Sequence, residues 1–195
     1  MPNFLFVAND PSLDFVNTEV MLDGVRTDLL QSFENLTEWF EQANLASVND
    51  VQRFAKVWTD TSGAKATLQA ARTLRSVLRN AVERVAGSGS IPSDLAITLK
   101  KELQQPRLAT DVVHDRGRLK TKPHWMLEKP RDLLVPVAHH AANFFATADY
   151  SAIRKCENPD CILCFYDTSK NHSRRWCSME LCGNRSKVAA FRERL

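Results

Sequence analysis

Apolar residues recur along most of this chain at spacings of three and four, the period of helices that bury one stripe. Phe33, Leu36, Trp39, Phe40 and Ala43 make such a stripe over 32–43, with Ser32 placed as N-cap. Val48 to Trp58 reads as a second helix. The longest pattern runs from Gly63 to Ala86. There Leu68, Ala71, Leu74, Leu78, Ala81, Val82 and Val85 line one side, and Arg72, Arg75, Arg79 and Arg84 fall on the rest. Those arginines read as a solvated helix face. Gly87-Ser88-Gly89-Ser90 ends the helix. Pro92 to Leu103 starts another with its proline in the tolerated first turn. Pro130 to Tyr150 carries a broad face of Leu133, Leu134, Val137, Ala138, Ala141, Phe144 and Phe145. A short helix is expected within 12–19, capped by Ser12 or Asp14, and Asp23-Gly24 reads as a turn. Over 107–126 the period changes. Val112-Val113, the turn residues Asp115-Arg116-Gly117 and an alternating run predict a β-hairpin. The expected fold class is α+β, mostly helical: an N-terminal helical domain with a small antiparallel β-hairpin, then a small C-terminal metal-binding knuckle and helix.

The chain has 195 residues, the size of one domain or of one domain with an appendage. With 44% hydrophobic and 25% charged residues, it is not collagenous, disordered or membrane-spanning. No apolar run reaches the ~18 residues of a transmembrane helix. The opening segment lacks a basic stretch and meets Asp10 too early for a signal peptide, so a cytoplasmic protein is expected. The net charge of +3 divides unevenly, −1 over residues 1–150 and +4 over 151–195. All five cysteines also lie in the second part, between Cys156 and Cys182. A boundary near residue 150 is expected, separating a nearly neutral body (1–150) from a basic, cysteine-rich tail (151–195).

In that tail Cys156-x4-Cys161 and Cys177-x4-Cys182 form two short pairs joined by a fifteen-residue loop. Two such pairs suit tetrahedral Zn²⁺, each closing a small chelate, and four thiolates leave no open position for substrate. The same residues could be four reduced, buried cysteines, or the ligands of an iron–sulfur cluster. Cys164, in the apolar run Ile162-Leu163-Cys164-Phe165-Tyr166, reads as packing rather than as a ligand. His172 reads as a solvated or phosphate-facing loop residue. Arg174 and Arg175 precede the third cysteine, Trp176 is placed to pack near the metal, and Gly183 to allow a tight turn. Beyond it a helix is expected, with Val188, Ala189 and Phe191 packing and Arg185, Lys187, Arg192 and Arg194 projecting. A metal-held helix with a row of cations suits the phosphate backbone of DNA.

The stretch Arg174-Arg175-Trp176-Cys177-Ser178-Met179 and above all Cys182-Gly183-Asn184-Arg185 resemble the CGNR zinc finger. Leu13-Asp14-Phe15-Val16-Asn17-Thr18, with Trp39 in the following helix, resembles the ABATE domain that accompanies that finger. The resemblance covers nearly the whole chain. It implies a stress-induced transcription regulator in which Cys156, Cys161, Cys177 and Cys182 bind zinc, the finger binds DNA and the larger domain senses a small ligand. The DNA-contacting set expected here is Arg174, Arg175, Asn184, Arg185, Lys187 and Arg192. One finger makes few phosphate contacts, which calls for a homodimer or a partner protein.

Asp14, Asn17 and Thr18 form a polar cluster in an otherwise apolar opening and are the candidate ligand-binding residues; capping and turn-making is the plainer reading of Asp14 and Asn17. No nucleophile–base constellation and no phosphate-cradling glycine loop occurs, so no enzyme is expected. His139 and His140 are adjacent on a helix and do not share a face. The competing reading is a structural zinc clip on a small-molecule-binding protein that does not bind DNA, its arginines paired with acidic residues of the body.

Overall fold

The computed structural model describes residues 3–59, 61–104 and 108–192. The fold is α+β and mostly helical, with three two-stranded antiparallel sheets. Helix α1 (Pro11–Val16) starts at Asp10, whose carboxylate accepts from the backbone N–H groups of Ser12 (2.8 Å) and Leu13 (3.3 Å). The cap is therefore Asp10, not Ser12 or Asp14, because Pro11 needs no partner for its first-turn nitrogen. Strands β1 (Glu19–Leu22) and β2 (Val25–Asp28) follow, joined by Asp23 and Gly24 at φ 50° and 78°. Two successive positive φ values make the two-residue hairpin turn that Asp-Gly favours. The expected turn is thus the tip of a hairpin.

Helices α2 (Phe33–Gln42) and α3 (Val48–Trp58) are capped by Ser32 and Ser47. Helix α4 (Ser62–Ser88) is capped by Thr61 and ends at Gly89, which is left-handed. Helix α5 (Ser93–Glu102) leads to β3 (Leu108–Asp115) and β4 (Arg118–Trp125), the hairpin that the alternation predicts. A 3-10 turn at Pro130–Leu133 precedes α6 (Leu134–Thr147). In the tail, β5 (Ile153–Lys155) pairs with β6 (Cys164–Tyr166), and α7 spans Asn184–Arg192. Among the described residues no helix is long and apolar enough to cross a membrane.

The stripes meet in one core. Trp39 packs edge-on against Phe15 and Phe40, with ring centres 4.9 and 5.1 Å apart, and all three are fully buried. The cysteines of the tail and Phe165 belong to the same cluster of buried residues. Backbone and side-chain bonds join tail to body. Tyr166 N–H donates to the carbonyl of Ala8 at 2.8 Å, and Asn17 makes a reciprocal pair with Cys164, donating to its carbonyl (2.8 Å) and accepting from its N–H (3.0 Å).

Three of the arginines on α4 depart from the solvated face expected of them. Arg75 and Arg79 are buried, and Arg72 is half-buried. Arg75 grips Asp28 with two bonds of 2.6 Å and reaches Thr18 Oγ1 at 3.1 Å. Burial pulls the Asp28 carboxyl up, but this grip outweighs it and holds the group below its usual range. Arg72 donates to the Leu30 carbonyl. Arg79 donates to the carbonyls of Val16 (2.7 Å) in the body and Ile162 (3.1 Å) in the tail, and pairs with Glu19 at 3.3 Å. The apolar stripe of α4 is flanked by a cationic one, at spacings of three and four, that stitches the β1–β2 hairpin and the tail to the helix. Removing such a buried cation leaves its acceptors unsatisfied. Arg79→Ala is expected to cost about 3 kcal/mol in urea denaturation, whereas Lys120→Ala, which removes an exposed pair with Asp115, should cost under ~0.5 kcal/mol.

Candidate metal centre and its surroundings

The tail is too short to bury a core of its own, and its loops converge on sulfur. Beyond the β5–β6 pair, Cys156 N–H donates to Leu163 O at 2.9 Å and Cys161 N–H to Asn158 O at 3.0 Å, which closes the loop that carries both sulfurs. The second pair sits where a wide helical turn (Met179–Gly183) begins. Ser178 caps that turn by accepting from Leu181 N–H at 2.9 Å, and Cys182 N–H returns to Ser178 O at 3.1 Å. The result places the sulfurs of Cys156, Cys161, Cys177 and Cys182 all within 4.8 Å of one another, all buried. Among the described residues no other group of three or more histidine, cysteine or carboxylate side chains converges this way.

The donor set fits a metal ion. All five cysteines are free thiols, so the four are not cross-linked. The Sγ atoms of Cys161 and Cys177 lie 3.9 Å apart, and those of Cys177 and Cys182 3.5 Å apart. Four sulfurs at about 2.3 Å from a tetrahedral centre stand about 3.8 Å from one another. Cys177 N–H points at Cys156 Sγ (3.4 Å) and Asn158 Nδ2 at Cys182 Sγ (3.3 Å), the N–H donors that thiolate ligands take from their surroundings. By themselves Cys156, Cys161 and Cys177 do not share negative charge well. Hydrogen bonds from Cys161 and Cys177 pull Cys156 down to about 2, and the anion so formed pushes Cys161 up to about 12 and Cys177 higher still. A cation at the centre removes that conflict.

Cys164 lies outside the cluster. Its thiol is fully buried beside Arg79 and is pushed up to about 12, chiefly by that burial, so it stays protonated and packs as a small apolar group. His172 is exposed, with Nδ1 3.0 Å from Asp167 O, and is not part of the four-sulfur set. Gly183 has an ordinary negative φ. The residue's small size is what matters: a Cβ there would sit 2.6 Å from Met179 Sδ and 3.1 Å from Trp176 Cδ1.

The expected DNA-contacting residues divide in two. Arg174 turns inward: it donates to the carbonyls of Val7 (2.7 Å), Trp176 (3.0 Å) and Cys177, and its guanidinium lies 4.1 Å from the centre of the Phe165 ring. It braces the metal loop against the N-terminal segment. Arg175 is exposed, stacked on Trp176 and paired with Glu157 at 2.6 Å. Asn184, Arg185, Lys187 and Arg192 are exposed on α7. Val188, expected to pack, is half exposed. Arg194 and the side chains of Ala189 and Phe191 lie outside the described residues.

Asp14, Asn17 and Thr18 are brought together, and each is buried and engaged within the chain. Asn17 holds Cys164. Thr18 donates to Phe15 O and receives Arg75. Asp14 accepts from Ala8 N–H at 2.9 Å. Burial raises the Asp14 carboxyl to about 6, against the opposing N–H groups of Ala8 and Val7. A carboxyl whose value rises from 3.8 to about 6 on folding keeps its proton in the folded chain after the unfolded chain has lost it. Between about pH 4 and 6 stability from this group therefore falls as pH rises, by at most about 3 kcal/mol. In denaturant titrations across that range, the wild-type minus Asp14→Asn difference should decline with pH; a flat difference would contradict the assignment.

The two parts of the chain match two known families. Residues 152–195 match the CGNR zinc finger. Residues 9–148 match the ABATE family, described as "Putative stress-induced transcription regulator". No curated protein matches the chain. With a family match over most of its length and the four-cysteine finger beyond it, the chain belongs to the ABATE family and carries a C-terminal CGNR zinc finger.

Proposed function

We propose that the protein is a zinc-containing, DNA-binding transcription regulator of the cytoplasm. Cys156, Cys161, Cys177 and Cys182 hold one Zn²⁺ in a closed, structural site. That site fixes the start of α7, and Arg175, Asn184, Arg185, Lys187 and Arg192 meet the phosphate backbone. Arg174 serves the same surface from behind, by bracing the metal loop. Residues 1–150 act as the body that senses a small ligand, residues 151–195 as the finger, and a homodimer supplies the contacts that one finger lacks.

One observation carries the reading. Arg185 and Lys187 stand exposed on a helix beside the cysteine cluster and make no hydrogen bond or ion pair among the described residues. Cations committed to the body, like Arg79 and Arg174, look different: their donors are taken by backbone carbonyls. The Glu157 partner of Arg175 is itself exposed, and such pairs contribute little, so a phosphate can take its place. A second reading, a structural zinc clip without DNA binding, draws its support from how closely residues 162–174 are bonded to the body.

Titration of the zinc-loaded chain onto duplex DNA at increasing salt separates the two. About four phosphate contacts per finger give a slope of log K against log salt near −4, and Lys187→Ala should flatten it by about 1. Absence of binding to any duplex, or binding that salt does not weaken, would favour the clip.

A further inference from the structure

A cleft of about 230 Å³ opens between body and finger beside the cysteine cluster. One wall belongs to the body and is apolar, formed by Leu5, Val20, Leu22 and Leu29. The other belongs to the finger, where Leu163 and Leu181 continue the apolar surface, Cys161, Cys177 and Cys182 of the sulfur cluster contribute to the lining, and Asp160 and Arg185 are its charged residues. Leu22, on the body's wall, is 51% exposed. Asp160 and Arg185 are not within ion-pair distance of each other, and neither side chain has a hydrogen-bond or ion-pair partner among the described residues.

Two free charges of opposite sign over an apolar surface define the molecule that fits. A simple anion would meet Arg185 but also face Asp160, and a simple cation would meet the reverse. A zwitterion meets both. The volume lies below the roughly 300–1,000 Å³ of pockets for drug-sized ligands, which restricts the occupant to a compact molecule. We propose that this cleft binds a free apolar α-amino acid, its carboxylate on Arg185, its ammonium on Asp160 and its side chain against Leu5, Val20, Leu22 and Leu29.

The charged end is then read by the finger and the apolar end by the body, so the bound molecule bridges the two. This names the site and the ligand class for the sensing role given above, and rests on that role only for its regulatory meaning. It also couples the two activities. Arg185 cannot hold an amino-acid carboxylate and a DNA phosphate at once, so the ligand and DNA oppose each other's binding to the same degree.

Calorimetric titration of the metal-loaded full chain, without DNA, tests the site. The probes are phenylalanine and leucine, compared with 3-phenylpropionate (no ammonium), phenethylamine (no carboxylate) and glycine (no apolar side chain). Saturable binding of phenylalanine or leucine is expected, with each comparison compound at least about tenfold weaker, the loss of one charge-assisted contact or of the apolar seat. Asp160→Asn and Arg185→Ala should each weaken binding about tenfold. Leu22→Gln, outside the four-sulfur set and already half exposed, should do the same with metal content and melting temperature unchanged. No saturable binding of either amino acid at millimolar concentration, or 3-phenylpropionate binding as tightly as phenylalanine, would overturn the proposal. No DNA is present, so a protein that fails to bind DNA leaves this outcome untouched, and failure here leaves the DNA reading standing.

Discussion

Four sulfur atoms held within 4.8 Å of one another, out of water, are the constraint to which the tail is built. Thiolates at that distance repel, and as thiols they leave the loops around them with little reason to converge. Among the described residues, the tail has the end of a 3-10 turn (Tyr150–Ala152), two three-residue strands, one wide turn and one short helix, far too little apolar surface to fold on burial alone. A cation bound by all four cysteines turns the repulsion into the strongest local attraction in the tail. The capping serine of the wide turn, the N–H groups aimed at Cys156 and Cys182 and the close fit of Gly183 under Met179 and Trp176 are arranged around that point.

The finger does not stand apart from the body. Phe165, the most buried aromatic of the tail, sits in the common core, and Asn17 and Arg79 hold the backbone at Cys164 and Ile162 from either side. Of the residues of the body read from sequence as ligand contacts, Asn17 holds the finger at Cys164, while Asp14 and Thr18 are bonded within the body. A change in how the finger sits is therefore felt at α1 and α4, and the cleft bounded by Val20, Leu22 and Arg185 lies on that shared seam. Regulation through the seam needs no distant pathway, because the proposed sensing surface and the proposed DNA surface share Arg185.

Much of this was legible in the sequence. Helices α2, α4 and α6 follow their apolar periods, α3 and α5 lie where helices are expected, the β3–β4 hairpin follows its alternation and turn residues, and the spacing of the cysteines singles out the four that meet in space. Cys164 was also separable from them, because its neighbours are apolar. What could not be read was the direction of long polar side chains. An arginine on a helix face looks the same in sequence whether it ends in water or under a carbonyl, and Arg75, Arg79 and Arg174 all end under acceptors supplied by residues far along the chain. A faint signal existed: Arg72, Arg75 and Arg79 keep spacings of three and four, which a randomly solvated face has no reason to do. The β1–β2 hairpin is hidden because its strands are only four residues long and Val20 is their one buried residue. Nothing in the sequence marks Asp160, because facing a cleft is a property of the fold.

The tail depends most on what the four cysteines hold. X-ray absorption at the zinc edge on the purified full-length chain reads the identity of the metal and its ligand shell together. One zinc per chain with a shell of four sulfurs at about 2.3 Å and no nitrogen or oxygen is the expected result. A shell containing nitrogen or oxygen, iron in place of zinc, or a fully folded chain that binds no metal at all would contradict it.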